Sequence, residues 1–202
     1  MIRFYKRRDM KKELTTRIIG GKFKGKKLKL PSKDVTRSSK SILKEALFNI
    51  LQFDIVDKNF VEVFGGSGSV GLEALSRGAK RIYFIEKDRN SYEVLRQNAQ
   101  SCDKIACVLY YGDAFEKLWD VIEDLRQRHE KAYFYFDPPF SIREGYEDIY
   151  KQVEQMIKKI PKEVVENIVV EHMSSYEFPE HLGGYERFKK RKFGKSTLSF
   201  YR

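Results

Sequence analysis

Phe60-Val61-Glu62-Val63-Phe64-Gly65-Gly66-Ser67-Gly68-Ser69-Val70-Gly71 decides how the rest of the chain is read. Five residues of mostly β-branched and aromatic character run into Gly66–Gly71, which fits G-x-G-x-x-G, and helical spacing begins near Ser69. The pattern is weak alone and gains weight between a strand and a helix. Glycine at these positions permits a tight turn and close approach of a ligand to the backbone, while the unpaired amides of the helix start face a crevice.

Downstream, the same alternation repeats. Short apolar runs at 81–85, 105–110, 132–136 and 167–170 are separated by amphipathic stretches over about 89–101, 115–129 and 145–159. Strands this short and apolar, alternating with helices, predict a mostly parallel α/β sheet covered on both faces, a Rossmann-like arrangement. The tail breaks the rhythm. Residues 185–188 and 197–201, separated by Lys192-Phe193-Gly194-Lys195, read as an antiparallel hairpin and bring the expected sheet to seven strands.

Upstream, residues 1–14 read as a mobile basic arm. Residues 16–31 carry alternating apolar residues around Gly20-Gly21 and Gly25, and Pro31 closes the run, so a lysine-studded β-hairpin is expected. Ile42, Leu43, Ala46, Leu47, Ile50 and Leu51 lie at helical spacing within 39–52, and their stripe must pack on the main domain. The expected division is a basic extension, residues 1–52, and an α/β domain, residues 53–202.

The charge is segregated. Residues 1–44 hold 16 Lys/Arg against 3 Asp/Glu, residues 45–184 hold 17 against 25, and residues 185–202 hold 7 against 1, within a net charge of +11. Two basic ends around an acidic middle point to a polyanionic partner, because each phosphate contact releases counterions. Charge alone does not separate RNA, DNA and an anionic membrane. No run of some 18 apolar residues is present, so no membrane span is expected. The basic start lacks the apolar stretch of a signal peptide, and two cysteines, Cys102 and Cys107, suit a reducing cytoplasm. Three scattered histidines and those cysteines make no metal-binding spacing, so no metal is expected. A monomer is expected for want of spare apolar surface.

Further acids fall where the strands end. Glu86 closes the second strand twenty residues after Gly66, where a carboxylate can take both hydroxyls of a ribose, and Asp113 ends the third. Their bland reading is helix capping. Two cofactors suit this rim. A dinucleotide would rest its pyrophosphate on the helix start. S-adenosylmethionine carries no phosphate and tolerates Glu62, which suits an ammonium group. Glu62 favours the second without deciding the matter.

Asp137-Pro138-Pro139-Phe140 follows the fourth strand directly. Two prolines fix φ, lack N–H donors and restrict the residue before each, giving a stiff ledge that presents carbonyls and the Asp137 carboxylate. Acceptors beside an aromatic face suit an extruded base, whose exocyclic amine they can grip.

The ledge looks like the D/N-P-P-Y/F motif of amino-directed nucleic-acid methyltransferases. From residue 17 to 202 the chain resembles the bacterial 16S rRNA guanine-N2 methyltransferase (RsmD) family. Arg17-Ile18-Ile19-Gly20-Gly21 with Gly25-Lys26-Lys27-Leu28 is similar to that family's opening pattern. Arg37 with Leu43-Lys44-Glu45-Ala46-Leu47-Phe48-Asn49 is similar to its first helix, and Phe64 to Ala74 to its glycine segment. Ser38-Ser39 stands for the family's Pro-Thr, Gly65 for Ala and Glu62 for Asp. The Ser38-Ser39 change loosens the join between hairpin and helix. The resemblance implies a class I methyltransferase that uses S-adenosylmethionine, yields S-adenosylhomocysteine, and acts on ribosomal RNA or a small-subunit assembly particle. Asp137, Pro138, Pro139 and Phe140 are then the reacting residues. Glu62, Phe64, Gly65, Gly66, Ser67, Gly68, Glu86, Lys87, Asp113 and Ala114 face the cofactor, and Arg17, Lys22, Lys24, Lys26, Lys27 and Arg37 hold RNA. Competing readings are an adenine-N6 amino methyltransferase acting on DNA or RNA, a nicotinamide-dependent oxidoreductase, and a non-catalytic RNA-binding protein. Trp119 reads as core, Cys102 and Cys107 as buried or inert, and Glu171-His172 as either substrate-facing or a surface pair.

Overall fold

A computed structural model of the chain describes residues 14–31, 37–140, 145 and 148–202, with the side chains of 37–40 left aside. Residues 1–13 of the basic arm and the side chains of Arg37, Ser38 and Ser39 therefore lie outside the described residues. Eight strands form one sheet: β3 (Asn59–Glu62), β4 (Arg81–Glu86), β5 (Cys107–Tyr111), β6 (Ala132–Phe136), β7 (Val165–Met173), β8 (His181–Leu182), β9 (Tyr185–Phe193) and β10 (Ser196–Tyr201). Their order is β5-β4-β3-β6-β7-β10-β9-β8, parallel from β5 to β7 and antiparallel beyond. The sheet has one strand more than the seven expected. The extra strand, β8, is two residues long and too short to show any alternation. The strand order reverses between β3 and β6, and open α/β sheets bind ligands at the carboxyl ends of strands around such a point.

Helices α1 (Arg37–Leu51), α2 (Ser69–Ser76) and α3 (Arg89–Cys102) cover one face, and α4 (Ala114–Gln127) and α5 (Ile149–Ile157) the other. Burial on both faces explains the apolar strands: Phe60 packs with the first group and Val61 and Val63 with the second.

The expected hairpin forms as β1 (Thr15–Arg17) paired antiparallel with β2 (Lys27–Lys29). It is clamped to the sheet domain. Glu73 of α2 is 0% exposed and accepts the amides of Ile19 and Gly20, each at 2.8 Å, and Arg77 Nε at 2.9 Å. Lys44 of α1 stands 3.4 Å from the same carboxylate and donates to the Arg17 carbonyl at 2.9 Å. A Cβ at Gly21, where φ is +74°, would sit 1.8 Å from the Ser76 carbonyl oxygen, so only glycine lets the hairpin approach this closely. Asn98 of α3 accepts from Lys29 N and donates to the carbonyls of Lys29 and Ser67, tying β2 to the glycine turn.

Three expectations change. The third strand begins at Cys107 rather than 105, because Asp103 Oδ1 takes the amides of Ile105 and Ala106 and turns them out, leaving Ile105 92% exposed. Trp119 is not core: it is 37% exposed on α4, its Nε1 donating to Phe115 O one turn back. The lysines read as the tail's turn, 192–195, lie partly in β9, since its register with β10 runs to Phe193. Among the described residues no helix is long and apolar enough to cross a membrane.

Candidate active site

At the carboxyl ends of β3 and β6 the structure opens a cleft of about 810 Å³, its mouth included. Its floor is the glycine turn, Gly65 to Ser67, with Glu62 from β3. Asp137 enters from the ledge after β6, so ledge and turn share one cavity. Thr16, Leu30 and Pro31 of the hairpin form another wall with Ser41 and Lys44 of α1.

The turn owes its shape to its glycines. Gly66 has φ +51° and nothing within 4 Å of where a Cβ would lie, so its backbone is bare toward a ligand. Gly68, with φ +75°, caps α2, and a Cβ there would meet Leu95 Cδ1 at 2.4 Å. Glu62 Oε2 accepts the Gly71 amide at 2.7 Å, fixing the first turn of α2. Glu86 bridges two amides, Gly66 at 2.6 Å and Asp88 at 2.7 Å, and burial raises its carboxyl above the usual range against the pull of those bonds. Asp113 caps α4 by accepting Phe115 N at 2.9 Å and faces Lys87 at 3.5 Å. Asp113 thus caps the helix with one oxygen and meets Lys87 with the other. Phe64 meets Phe115 edge-on with centroids 6.2 Å apart, and Ala114 is buried beside them. Glu86 and Asp113 lie beyond the glycine turn from Asp137; the Gly112 amide on the Glu86 carbonyl at 3.0 Å joins their strand ends.

On the ledge, Pro138 is buried while Asp137, Pro139 and Phe140 are half-buried. Arg17, Lys22, Lys24 and Lys27 are exposed on the hairpin; Lys26 is half-buried and bonds the Ser101 carbonyl, so it is partly committed to α3. Lys22 and Lys26 lie over the Phe23 ring at 5.0 and 5.8 Å.

Two cleft residues, Lys44 and Tyr135, escape a reading of periodicity, while a third, Glu171, fits the substrate-facing alternative. Lys44 is 5% exposed, and burial holds its ammonium below the ordinary lysine value against the attraction of Glu73 and Glu62. Tyr135 of β6 donates to Glu171 Oε2 of β7; burial first, then the charges of Glu171 and Asp137, raise its phenol well above the ordinary value. Glu171 and His172, read as one pair, part company. Glu171 faces the cleft, whereas the His172 ring lies on the other face between Met173 O and Ser199 Oγ, each at 2.9 Å. Cys107 is buried and Cys102 half-buried, and burial raises both thiols, Cys107 to about 12.

A parallel sheet with its reversal at β3/β6, a glycine turn beneath the cleft and an antiparallel C-terminal edge make this a class I methyltransferase fold. The chain belongs to the family described as Conserved hypothetical protein 95, whose model matches residues 16–202. It is 33% identical over 127 residues to "Ribosomal RNA small subunit methyltransferase D" of Haemophilus influenzae, covering 61% of this chain and 63% of that protein. It is 44% identical over 82 residues to the Escherichia coli protein of the same name, 41% of each. The matches thus span under two thirds of either relative. The solved structure of yhhF from Escherichia coli superposes with a TM-score of 0.72 at 27% identity, covering 93% of this chain and 97% of that one.

Proposed function

We propose that this protein transfers the methyl group of S-adenosylmethionine to the exocyclic N2 amine of a guanine in small-subunit ribosomal RNA. The observation that carries the reading is the shared cleft: Asp137 and the glycine turn line one cavity. The named relatives act on ribosomal RNA of the small subunit, and the basic hairpin beside the cleft suits that substrate.

The residues fit the cofactor. Gly66 leaves its backbone open to the methionine portion, Glu62 suits a cationic group, and Glu86 and Asp113 stand at the strand ends for ribose and adenine. A pyrophosphate resting on this turn would meet Glu62 and Asp137, so the nicotinamide reading fits poorly. When bound, S-adenosylmethionine supplies a methyl group on sulfur already activated for transfer.

The chain's own part is alignment. A guanine amine is a weak nucleophile because its lone pair is delocalised into the ring. Asp137 and the Pro138 carbonyl accept the amine's two hydrogens, which favours a pyramidal nitrogen with its lone pair aimed across the cleft; on gaining the methyl group the nitrogen sheds its excess proton to Asp137 or to water. Phe140 stacks on the extruded base, and the two prolines hold the acceptors rigid. Arg17, Lys22, Lys24, Lys27 and Arg37 hold the RNA backbone, with residues 1–52 as the RNA-binding extension of residues 53–202. The chain acts as a monomer in the cytoplasm.

Asp137→Ala tests the reading. It keeps S-adenosylmethionine affinity within a few-fold in calorimetry and loses about 100-fold to 10,000-fold in single-turnover methyl transfer. Mass mapping of the modified nucleotide separates guanine N2 from adenine N6, and undiminished turnover in the variant removes Asp137 from the chemistry.

A further inference from the structure

Beside Asp137 the cleft holds a second carboxylate that the proposed reaction does not use. Parallel pairing sets Phe136 opposite Val170, so Asp137 and Glu171 leave adjacent strands at the same level. Tyr135 lies two residues before Asp137 on the same face, and Glu171, 3% exposed, accepts the hydrogen bond of its hydroxyl. A buried carboxylate costs free energy unless it is engaged. A carboxylate offers about four acceptor directions, and the Tyr135 phenol fixes the orientation of this one while occupying a single direction.

We infer that Glu171, held by Tyr135, is a specificity-determining residue that accepts the ring N1–H of the target guanine while Asp137 grips the neighbouring N2 amine. The inference rests on the guanine-N2 reading above. Guanine presents N1–H and N2–H as adjacent donors, which two adjacent carboxylates match. Adenine presents its amine next to an N1 lone pair, which a carboxylate repels. Sites that hydrogen-bond a substrate N–H reject analogues lacking it far more strongly than apolar pockets reject a change of size.

The test uses 2-aminopurine, which keeps the N2 amine and exchanges the N1 donor for an acceptor. Small-subunit particles are reconstituted with guanine or 2-aminopurine at the nucleotide mapped as methylated, and kcat/KM is measured on both. The wild-type protein prefers guanine on the order of 100-fold. Glu171→Gln, whose amide can donate to N1, lowers the guanine to 2-aminopurine ratio at least about tenfold while cofactor affinity holds. Using the ratio cancels the intrinsic difference between the two amines. Tyr135→Phe, which removes the phenol's bond to the carboxylate without changing the ring, moves the ratio the same way more weakly, and serves alone if Glu171→Gln fails to fold. An unchanged ratio in the folded variant overturns the assignment. Absence of guanine-N2 transfer by the wild-type protein instead sinks the reading of function, and it shows before any variant is made.

Discussion

Glu73→Gln should uncouple the basic hairpin from the sheet domain. The substitution keeps the shape and removes the charge. Glu73 Oε2 takes Ile19 N and faces Lys44, while Oε1 takes Gly20 N and Arg77 Nε. A glutamine has one oxygen for these two sets of donors, so its amide nitrogen must face either a backbone N–H or the lysine. An unsatisfied buried N–H costs about 1–3 kcal/mol. Lys44, whose side chain is 4% exposed, also loses its partner, and breaking a buried pair from one side costs about 3–5 kcal/mol. These losses overlap, because Lys44 can shed its proton and keep its bond to Arg17 O. The expected net loss is about 3–5 kcal/mol, or roughly 10 °C in Tm for a chain of this size. Urea unfolding measures the loss, and hydrogen exchange at Ile19 and Gly20 shows where it falls. A change under about 1 kcal/mol with both amides still protected would refute the reasoning.

The two glycines of the turn should fail differently. Gly66→Ala costs about 1 kcal/mol of backbone strain and mainly weakens S-adenosylmethionine binding, whereas Gly68→Ala adds a collision with Leu95 and mainly lowers Tm; calorimetry and thermal melts separate them. Deleting residues 1–13 while keeping the hairpin should weaken RNA binding and flatten its salt dependence, with cofactor affinity unchanged; a slope identical to the full chain's removes the arm from the interface. Burial raises Tyr133, Tyr150, Tyr185 and Tyr201 to about 12. The unfolded chain releases these protons near the ordinary value of about 10 and the folded chain does not, so their stabilisation is intact below pH 10 and lost as pH rises toward 12. The absorbance change of these four buried tyrosinates and the loss of circular dichroism should coincide in that window, and ionisation of these four in a still-folded chain would contradict it.

The parallel half of the sheet is legible from the chain because each strand there is buried on both faces and so reads as a short apolar run between helices. β7 is the instructive exception. Its apolar run covers 167–170, yet the strand spans Val165–Met173, since pairing with β6 on one side and β10 on the other carries Glu171 and His172 into the sheet. Polar residues end an apolar run even where hydrogen bonds continue the strand. The same blindness hides the lysines of β9. In the cleft, Asp137, Glu62 and Gly66 come from local motifs and are visible in the chain, but Tyr135, Glu171 and Lys44 meet only through pairing between distant segments. Glu73 did leave a signal: it is the one charge among Val70-Gly71-Leu72-Glu73-Ala74-Leu75, an otherwise apolar turn of helix. A carboxylate so placed needs donors from elsewhere, and the hairpin amides supply them.

Ile18 and Leu28, one from each arm of the hairpin, lie in the same apolar cluster as Leu72 of α2 and Phe84 of β4. A hairpin built this way cannot be transplanted as a tag or trimmed away without cost: a recipient would need the carboxylate at 73, the lysine at 44 and the bare backbone at Gly21. Cutting the chain after Pro31 would open the protein's own interior and strip a wall from the cofactor cleft, so lost binding in such a fragment would say little about RNA contacts.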